Sequence, residues 1–482
     1  MNPLYRSNGV RIAFSLLMVI ILTACAVQND SAPTPTPVQQ KWDRTTLQQI
    51  IEDWRVHSGV PGLVVGISFA GQGDILLTSG KSDVKDDVAI KENDQFRIAS
   101  ITKTFIAAEI LKLAAKGKLK LDDPLNVYLP ETPHGDVVTV RHLLRHRSGY
   151  YDPVHDDPSF IPYVAENLGK LWTWDELLAL AFEHDLYFQP GIAYKYSNTN
   201  YMLLGKIIEQ VTHRSLVDVL ASDLLQPLRL EHTIYATPTT DAESTDLVHG
   251  YATHPLTREI IDTTSIPYAT VLSVSADTML SNAQDLLKWS RALYGKASLV
   301  LESALQKQML TFDSISNYGL GVFQFNTPIG ISFGHGGDTA GYLSQMEYIP
   351  SQDLSIVILA NSDAPSINLS ELRDALLVEM FGDSAESHVE ELIADLKSDD
   401  SSTRKNAIIA LGHSDTGNQR VILSLVKILK SDSIAENRKE AALALGLVGK
   451  NSDQARQALT TALQDSDEKV RAAAGLALRV IK

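Results

Sequence analysis

The chain has 482 residues, 44% of them hydrophobic and 21% charged, with 28 Gly and 19 Pro. Those proportions exclude wholesale disorder, a collagen-like strand and a coiled-coil rod, and at ~150 residues per domain the length suggests roughly two or three domains. A net charge of −16 excludes a general nucleic-acid binder, and a single cysteine, Cys25, excludes an intramolecular disulfide, a multi-thiolate zinc site and a thiol nucleophile deep in the chain.

The N-terminus carries Arg6 and Arg11 ahead of an apolar stretch from Ile12 to Leu22. That stretch is short for ~30 Å of hydrocarbon but suits the apolar centre of a signal peptide. Its end, Leu22-Thr23-Ala24-Cys25, resembles the bacterial lipobox. The resemblance implies a signal peptide over residues 1–24, cleaved before a cysteine that carries lipid. It also implies a cell-envelope protein held to a membrane on the extracytoplasmic side. Ala26 stands where an Asp would mark inner-membrane retention, so the outer membrane is expected if the cell is Gram-negative. Residues 25–40 include alternating Pro and no apolar periodicity, which predicts an extended tether of ~3 Å per residue.

Residues 41–382 alternate strand and helix signals. Leu47 to Val56 predicts an opening helix. Gly62 to Ala70 and Asp74 to Gly80 predict a hairpin turning at Gly71-Gln-Gly73. Thr102 to Lys116 predicts a helix. Far downstream, Gly319 to Phe325, Ile331 to Phe333, Leu343 to Ile349 and Leu354 to Ala360 predict strands, and Leu369 to Met380 a closing helix. Strands clustered at both ends and linked as hairpins predict an α+β fold with an antiparallel sheet.

Three segments in this region could carry chemistry. Ser100-Ile-Thr-Lys103 places a hydroxyl at the start of a helix and an amine one turn on. Free N–H groups and the helix dipole there favour an oxyanion, and a desolvated amine could take the hydroxyl proton or hold a neighbouring base ionised. The same spacing recurs at Ser82/Lys85 and Ser402/Lys405, so it is the flanking apolar run and helix that single out Ser100. Tyr196-Ser-Asn198 follows a Pro-Gly turn and precedes a helix; a phenol near a lysine can act as a base, and Asn198 could bond a substrate amide or Lys103. Gly334-His335-Gly336-Gly337 lets a substrate backbone approach a strand edge, and the histidine could donate to a carboxylate or carbonyl. Taken singly, each has a plainer reading as a helix cap, a half-buried tyrosine or a tight turn. His142 and His146 share helical spacing, but no Glu follows the first, so they read as structural rather than metal-binding.

The last hundred residues differ. Every Trp, Tyr and Phe lies at or before Phe381, and residues 383–482 carry 15 acidic and 14 basic side chains, so the net acidity belongs to the earlier part. Asn406-Ala-Ile-Ile-Ala-Leu-Gly412 returns as Glu440-Ala-Ala-Leu-Ala-Leu-Gly446 and, more loosely, as Arg471-Ala-Ala-Ala-Gly-Leu-Ala477, at offsets of 34 and 31. A period of that size with helical spacing predicts stacked helix pairs over residues 387–482 and resembles short HEAT-like repeats; an added helical bundle is the alternative. Such stacks commonly present a concave face, which implies a surface for a protein partner.

In order, Ser100-Ile-Thr-Lys103, Thr139 to Gly149, Pro190 to Gly205 and Gly334 to Gly337 resemble the β-lactamase-related serine hydrolases. This group includes class C β-lactamases, D-alanyl-D-alanine carboxypeptidases and related esterases and peptidases. The resemblance spans about 45 to 380 and implies a β-lactamase/transpeptidase-like antiparallel sheet with a helical subdomain. It implies Ser100 as the acylated nucleophile, Lys103 and Tyr196 sharing the general-base work, and Asn198, His335, Gly336 and Gly337 binding substrate. His-Gly-Gly stands where class C β-lactamases have Lys-Thr-Gly, which fits peptidase or esterase relatives better. The reading is a lipid-anchored serine hydrolase acting on amides or esters, with a peptide or small-molecule substrate and no metal or other cofactor. A β-lactamase, and an inert binding lipoprotein that works through its repeats, are the alternatives.

Overall fold

The computed structural model describes residues 42–69, 71–167, 170–236, 244–254, 256–264, 279–312, 316–412 and 417–481, without the side chains of 161, 165 and 383–387. The expected signal peptide, Cys25 and tether lie outside the described residues.

Seven strands form the main sheet: β1 (Gly62–Phe69), β2 (Ile75–Asp83), β3 (Val88–Ala89), β9 (Phe323–Thr327), β10 (Gly330–Thr339), β11 (Tyr342–Ile349) and β12 (Leu354–Ala360). Their order is β3-β2-β1-β12-β11-β10-β9, and every pairing is antiparallel. The first and last hairpins meet at β1 and β12, where Leu63 faces Ala360 and Phe69 faces Leu354. β12 is buried along its whole length and β1 nearly so, because both faces of the sheet are covered. Leu63, Val65 and Ile67 point to one side, against α1 (Arg44–Ser58) and the long helix α5 (Leu369–Asp395). Val64 points to the other, toward α2 (Thr102–Ala115), α3 (Asn198–Thr212) and α4 (Ala283–Tyr294). Gly66 permits the close seating of α4: a Cβ there would lie 2.9 Å from Leu287 Cδ1.

Two small sheets complete the body. β4 (Phe96–Arg97), β8 (Met279–Ser281) and β5 (Ile234–Tyr235) form one, and β6 (Tyr251–Thr253) with β7 (Ile260–Asp262) the other. Helix α2 is the centre of the helical subdomain and is buried continuously from Thr102 to Leu111. Phe105 stacks on Trp289 at 3.9 Å, and the Trp289 indole donates to Thr104 at 2.8 Å. Such all-round burial needs apolar residues on every face of the helix, and Phe105-Ile-Ala-Ala supplies them.

Two expectations need correction. Ile331 to Phe333 predicts a short strand that closes before the glycines, but β10 continues through Gly334, His335, Gly336 and Gly337 to Thr339. Glycine is usually read as punctuation, whereas here backbone neighbours leave no room for a side chain at Gly334 and Gly337. The strand expected from Gly319 begins only at Phe323, after a turn in which Gly319 N–H bonds the Val322 carbonyl.

The C-terminal region is all helix: α6 (Ser401–Leu411), α7 (Gln419–Ser431), α8 (Ala435–Val448), α9 (Asp453–Ala462) and α10 (Glu468–Val480). Helices α6, α8 and α10 stack side by side, as do α7 and α9. Small residues set the spacing: a Cβ on Gly412 would meet Ala444 at 3.0 Å, and one on Gly446 would meet Ala477 at 2.9 Å. Arg404 bridges to Asp432 at 2.7 Å and Arg438 to Asp465 at 2.8 Å, the arginines 34 residues apart and the aspartates 33. Residues 383–386, between the two expected domains, are helical: α5 passes through them after a break at Phe381, where φ is −133° and ψ 21°.

Candidate active site

Ser100 lies in a single 3-10 turn, Ala99–Ile101, that runs directly into α2. Ala99, just before it, has φ of 45°, a left-handed conformation that costs a non-glycine residue about 1 kcal/mol. The turn is held from both sides. Ile98 N–H donates to the Met279 carbonyl at 3.0 Å, and Ser344 Oγ donates to the Ile98 carbonyl at 2.9 Å. Strand β10 packs against the same turn, and a Cβ on Gly337 would collide with the Ile98 carbonyl and Ser344 Oγ. Glycine is needed there for approach rather than for flexibility.

Lys103 is fully buried one turn along α2. Its Nζ donates to Ser100 Oγ at 3.1 Å and to Asn198 Oδ1 at 2.8 Å. It also lies 5.2 Å from the centre of the Tyr196 ring and 5.6 Å from that of Tyr201. Tyr196 reaches Ser100 from the other side, its hydroxyl donating to Oγ at 2.9 Å. The sequence places these residues almost a hundred positions apart, and the packing of α2 on α3 brings them together.

A second layer holds this triangle. The Tyr196 ring stacks on His146 at 4.1 Å. His146 is completely buried, and its Nδ1 accepts from the Ser197 N–H at 3.1 Å. Burial, with Lys103 nearby, keeps its imidazole well below the usual histidine range and therefore neutral. His146 thus buttresses Tyr196, while His142 closes a capping box at the start of its own short helix. Among the described residues, no group of three or more His, Cys, Asp or Glu could hold a metal ion.

Asp152 escaped the sequence reading. Its carboxylate is buried and takes the Asn198 N–H at 2.9 Å, the Asn198 Nδ2 at 3.1 Å and His155 Nδ1 at 2.8 Å. It also caps Val154 N–H at 3.0 Å. Asp152-Pro153 is a helix-start signal and was visible as such, but nothing local ties it to Asn198. Accepting the carboxamide N–H groups fixes Asn198 with its oxygen toward Lys103.

His335 differs from its expected role. Its Nδ1 donates to the Gly336 carbonyl at 2.6 Å, and its Nε2 accepts from the Tyr318 hydroxyl at 3.1 Å. Burial lowers its pKa to about 3. The ring is neutral with both nitrogens engaged, so it offers no donor to a substrate carboxylate. Tyr318, which occupies it, is fully buried and was not foreseen.

Ser100, Tyr196, Asn198, His335, Gly336 and Gly337 all line one open cavity of about 690 Å³. The arrangement puts a hydroxyl between an amine and a phenol, at the start of a buried helix and beside a strand that stays open to a ligand. It suits nucleophilic acyl transfer.

Comparison with known proteins agrees with this geometry. The Beta-lactamase family model matches residues 44–379, and the HEAT repeats model matches residues 389–479. Penicillin-binding protein 4* of Bacillus subtilis (strain 168) is 28% identical over 310 residues, 60% of this chain; the chain spans 66% of that relative's length. Among solved structures, the D-stereospecific amidohydrolase from Streptomyces sp. superposes with a TM-score of 0.61 at 30% identity, covering 70% of this chain and 99% of its own. The D-amino acid amidase from Ochrobactrum anthropi SV3 complexed with D-phenylalanine gives 0.61 at 25% identity, with 70% and 99% covered.

Proposed function

The chain belongs to the β-lactamase family of serine hydrolases, and on that premise we propose that it cleaves amide or ester bonds next to a D-residue through an acyl-enzyme on Ser100. The observation that carries this reading is the contact of Ser100 Oγ with both Lys103 Nζ at 3.1 Å and Tyr196 OH at 2.9 Å. Ser100 Oγ adds to the substrate carbonyl, and its proton passes to Lys103 or Tyr196, both within reach. The oxyanion forms beside the Ser100 turn, which packs against β10 at the start of α2; stabilisation by backbone N–H donors contributes about 3–4 kcal/mol per donor in acyl-transfer sites. The protonated base then gives its proton to the leaving amine or alkoxide. Water, deprotonated by the same base, attacks the ester and releases the acid. Asn198 keeps the Lys103 amine aimed at Ser100 throughout.

Two observations narrow the substrate. The neutral, fully bonded His335 supplies no cation for a carboxylate, which supports amide and ester substrates over β-lactams. The D-configuration is supported by the D-stereospecific amidohydrolase and the D-amino acid amidase. The proposal includes an envelope location, with lipid on Cys25, supported by Leu22-Thr23-Ala24-Cys25.

The test is intact-protein mass with D-amino acid amides, p-nitrophenyl esters and benzylpenicillin, measured on the full chain and on Ser100→Ala. A transient acyl adduct on amides or esters, absent in Ser100→Ala, is expected. Turnover that persists in Ser100→Ala overturns the assignment. Benzylpenicillin consumed faster than any amide or ester overturns the substrate class.

A further inference from the structure

The catalytic cavity does not end at β10. A second cavity of about 520 Å³ adjoins it and shares Phe325, Asn368 and Ser370 as a common wall. One side is the outermost strand β9 and the start of α5. Here Gln324, Asn326 and Asn368 offer carboxamide donors and acceptors. Arg373 fixes this wall, with its guanidinium 2.7 Å from Glu347 and 3.2 Å from the Asn326 carbonyl. The opposite side comes from one helix of each successive repeat, Ile409 on α6, Leu447 on α8 and Val480 on α10, with Lys450 just past the end of α8.

Exposed apolar residues occur elsewhere on the stack, Leu423, Leu463 and Leu476 among them, but Ile409, Leu447 and Val480 are the ones that line this groove. Leu447 is 49% exposed and Val480 46%, and they sit 33 residues apart, the spacing of the ion-paired Asp432 and Asp465, so they occupy the same position in consecutive repeats. A solvated face has no need of aligned apolar side chains at the mouth of a polar groove. Carboxamides on one wall and apolar side chains on the other match an extended peptide: its backbone bonds the first and its side chains meet the second.

We propose that the C-terminal repeats form a distal substrate subsite, which binds the part of a peptide lying several residues from the bond cleaved at Ser100. The occupant is the substrate itself, because the groove adjoins the catalytic cavity along the shared wall of Phe325, Asn368 and Ser370. The two volumes together exceed what a single amino-acid amide fills. This makes the protein selective for peptide length, with the repeats acting as part of the enzyme rather than as a separate adaptor. The inference rests on the reading of the Ser100 site as peptide-directed.

The experiment reads binding and turnover separately. Fluorescein-labelled Leu-D-Ala amide, and the same unit extended by six alternating Ala and Leu residues on either side, are titrated by anisotropy onto full-chain Ser100→Ala. The same peptides are assayed for kcat/KM on the chain that retains Ser100. At least one long peptide is expected to bind about tenfold or more tighter than the short one. Adding Leu447→Glu or Val480→Glu to either protein should reduce that advantage to about threefold or less, without changing the short peptide's affinity or turnover. Leu299→Glu, another exposed leucine outside both cavities, should leave the advantage intact. Affinity independent of length, or a length advantage that survives both substitutions, overturns the proposal. Length-dependent binding without turnover of any peptide supports the subsite and instead counts against the hydrolase reading.

Discussion

Glu109 lies in the middle of α2, fully buried, with neither carboxylate oxygen bonded to a partner among the described residues. Desolvation raises its pKa to about 7, above the ordinary value near 4.5. The folded protein therefore holds this proton more tightly than the unfolded chain does. Stability is greatest below the unfolded pKa and is lost as pH rises through the folded value. Glu109→Gln should raise Tm over the parent by a margin that grows from pH 5 to pH 8, as read by thermal melts across that range. A margin that does not change with pH would contradict a titrating carboxyl. Asp152 acts differently, through its grip on Asn198. Asp152→Asn should lower kcat/KM about tenfold to a hundredfold, since a hydrogen bond to a charged group contributes about 1.5–3 kcal/mol. The loss should appear chiefly in kcat, measured with a short ester, because Asn198 Oδ1 holds the Lys103 amine beside Ser100.

At the scale of elements, β10 and the Ser100 turn form one device, and the glycine between them sets its tolerance. Gly337→Ala would drive β10 away from Ile98 and Ser344. A shift near 1 Å in such a site costs about a hundredfold in rate. Acylation measured by stopped flow should fall by that order, and Tm should fall as well, because the clash is with the Ile98 backbone. This device also shows what could be read beforehand. Ser100, Lys103, Tyr196 and Asn198 were legible because each sits in a motif with a recognisable flank. The extent of β10 was not, since the glycines that permit close approach look locally like a turn. Tyr318 and Asp152 were invisible for another reason: they act through contacts that only the tertiary fold creates. The repeats were legible from their period, but α5 passing through 383–386 was not, because loss of aromatics marks a change of composition and not a break in the backbone.

For the molecule as a whole, the repeats contribute their own acid sensitivity. Arg438 lowers the pKa of Asp465 to about 2. The contribution of this pair is present above the ordinary aspartate value and is lost as pH falls through about 2. Asp465→Asn should therefore destabilise the C-terminal helices at pH 7 and make little difference at the lowest pH, as hydrogen exchange over residues 401–481 would show. Replacing Cys25 tests the envelope proposal in the same whole-protein terms: Cys25→Ala should move the protein from the membrane fraction to the soluble fraction without altering ester turnover.

The pairing of β1 with β12 has a consequence for how the chain is made. Leu63 finds Ala360 only after nearly three hundred intervening residues have been synthesised. Until then the apolar strand Gly62–Phe69 has β2 on one edge and nothing on the other, the kind of edge that recruits other chains. Contacts of such long sequence separation form slowly, because the loop between them must close first. The central sheet therefore cannot close on a nascent chain until most of it has emerged. The repeat helices, whose contacts are with near neighbours in sequence, are made after the sheet and can fold fast. The sheet thus begins early and finishes late, and its exposed strand is where a chaperone would be needed most.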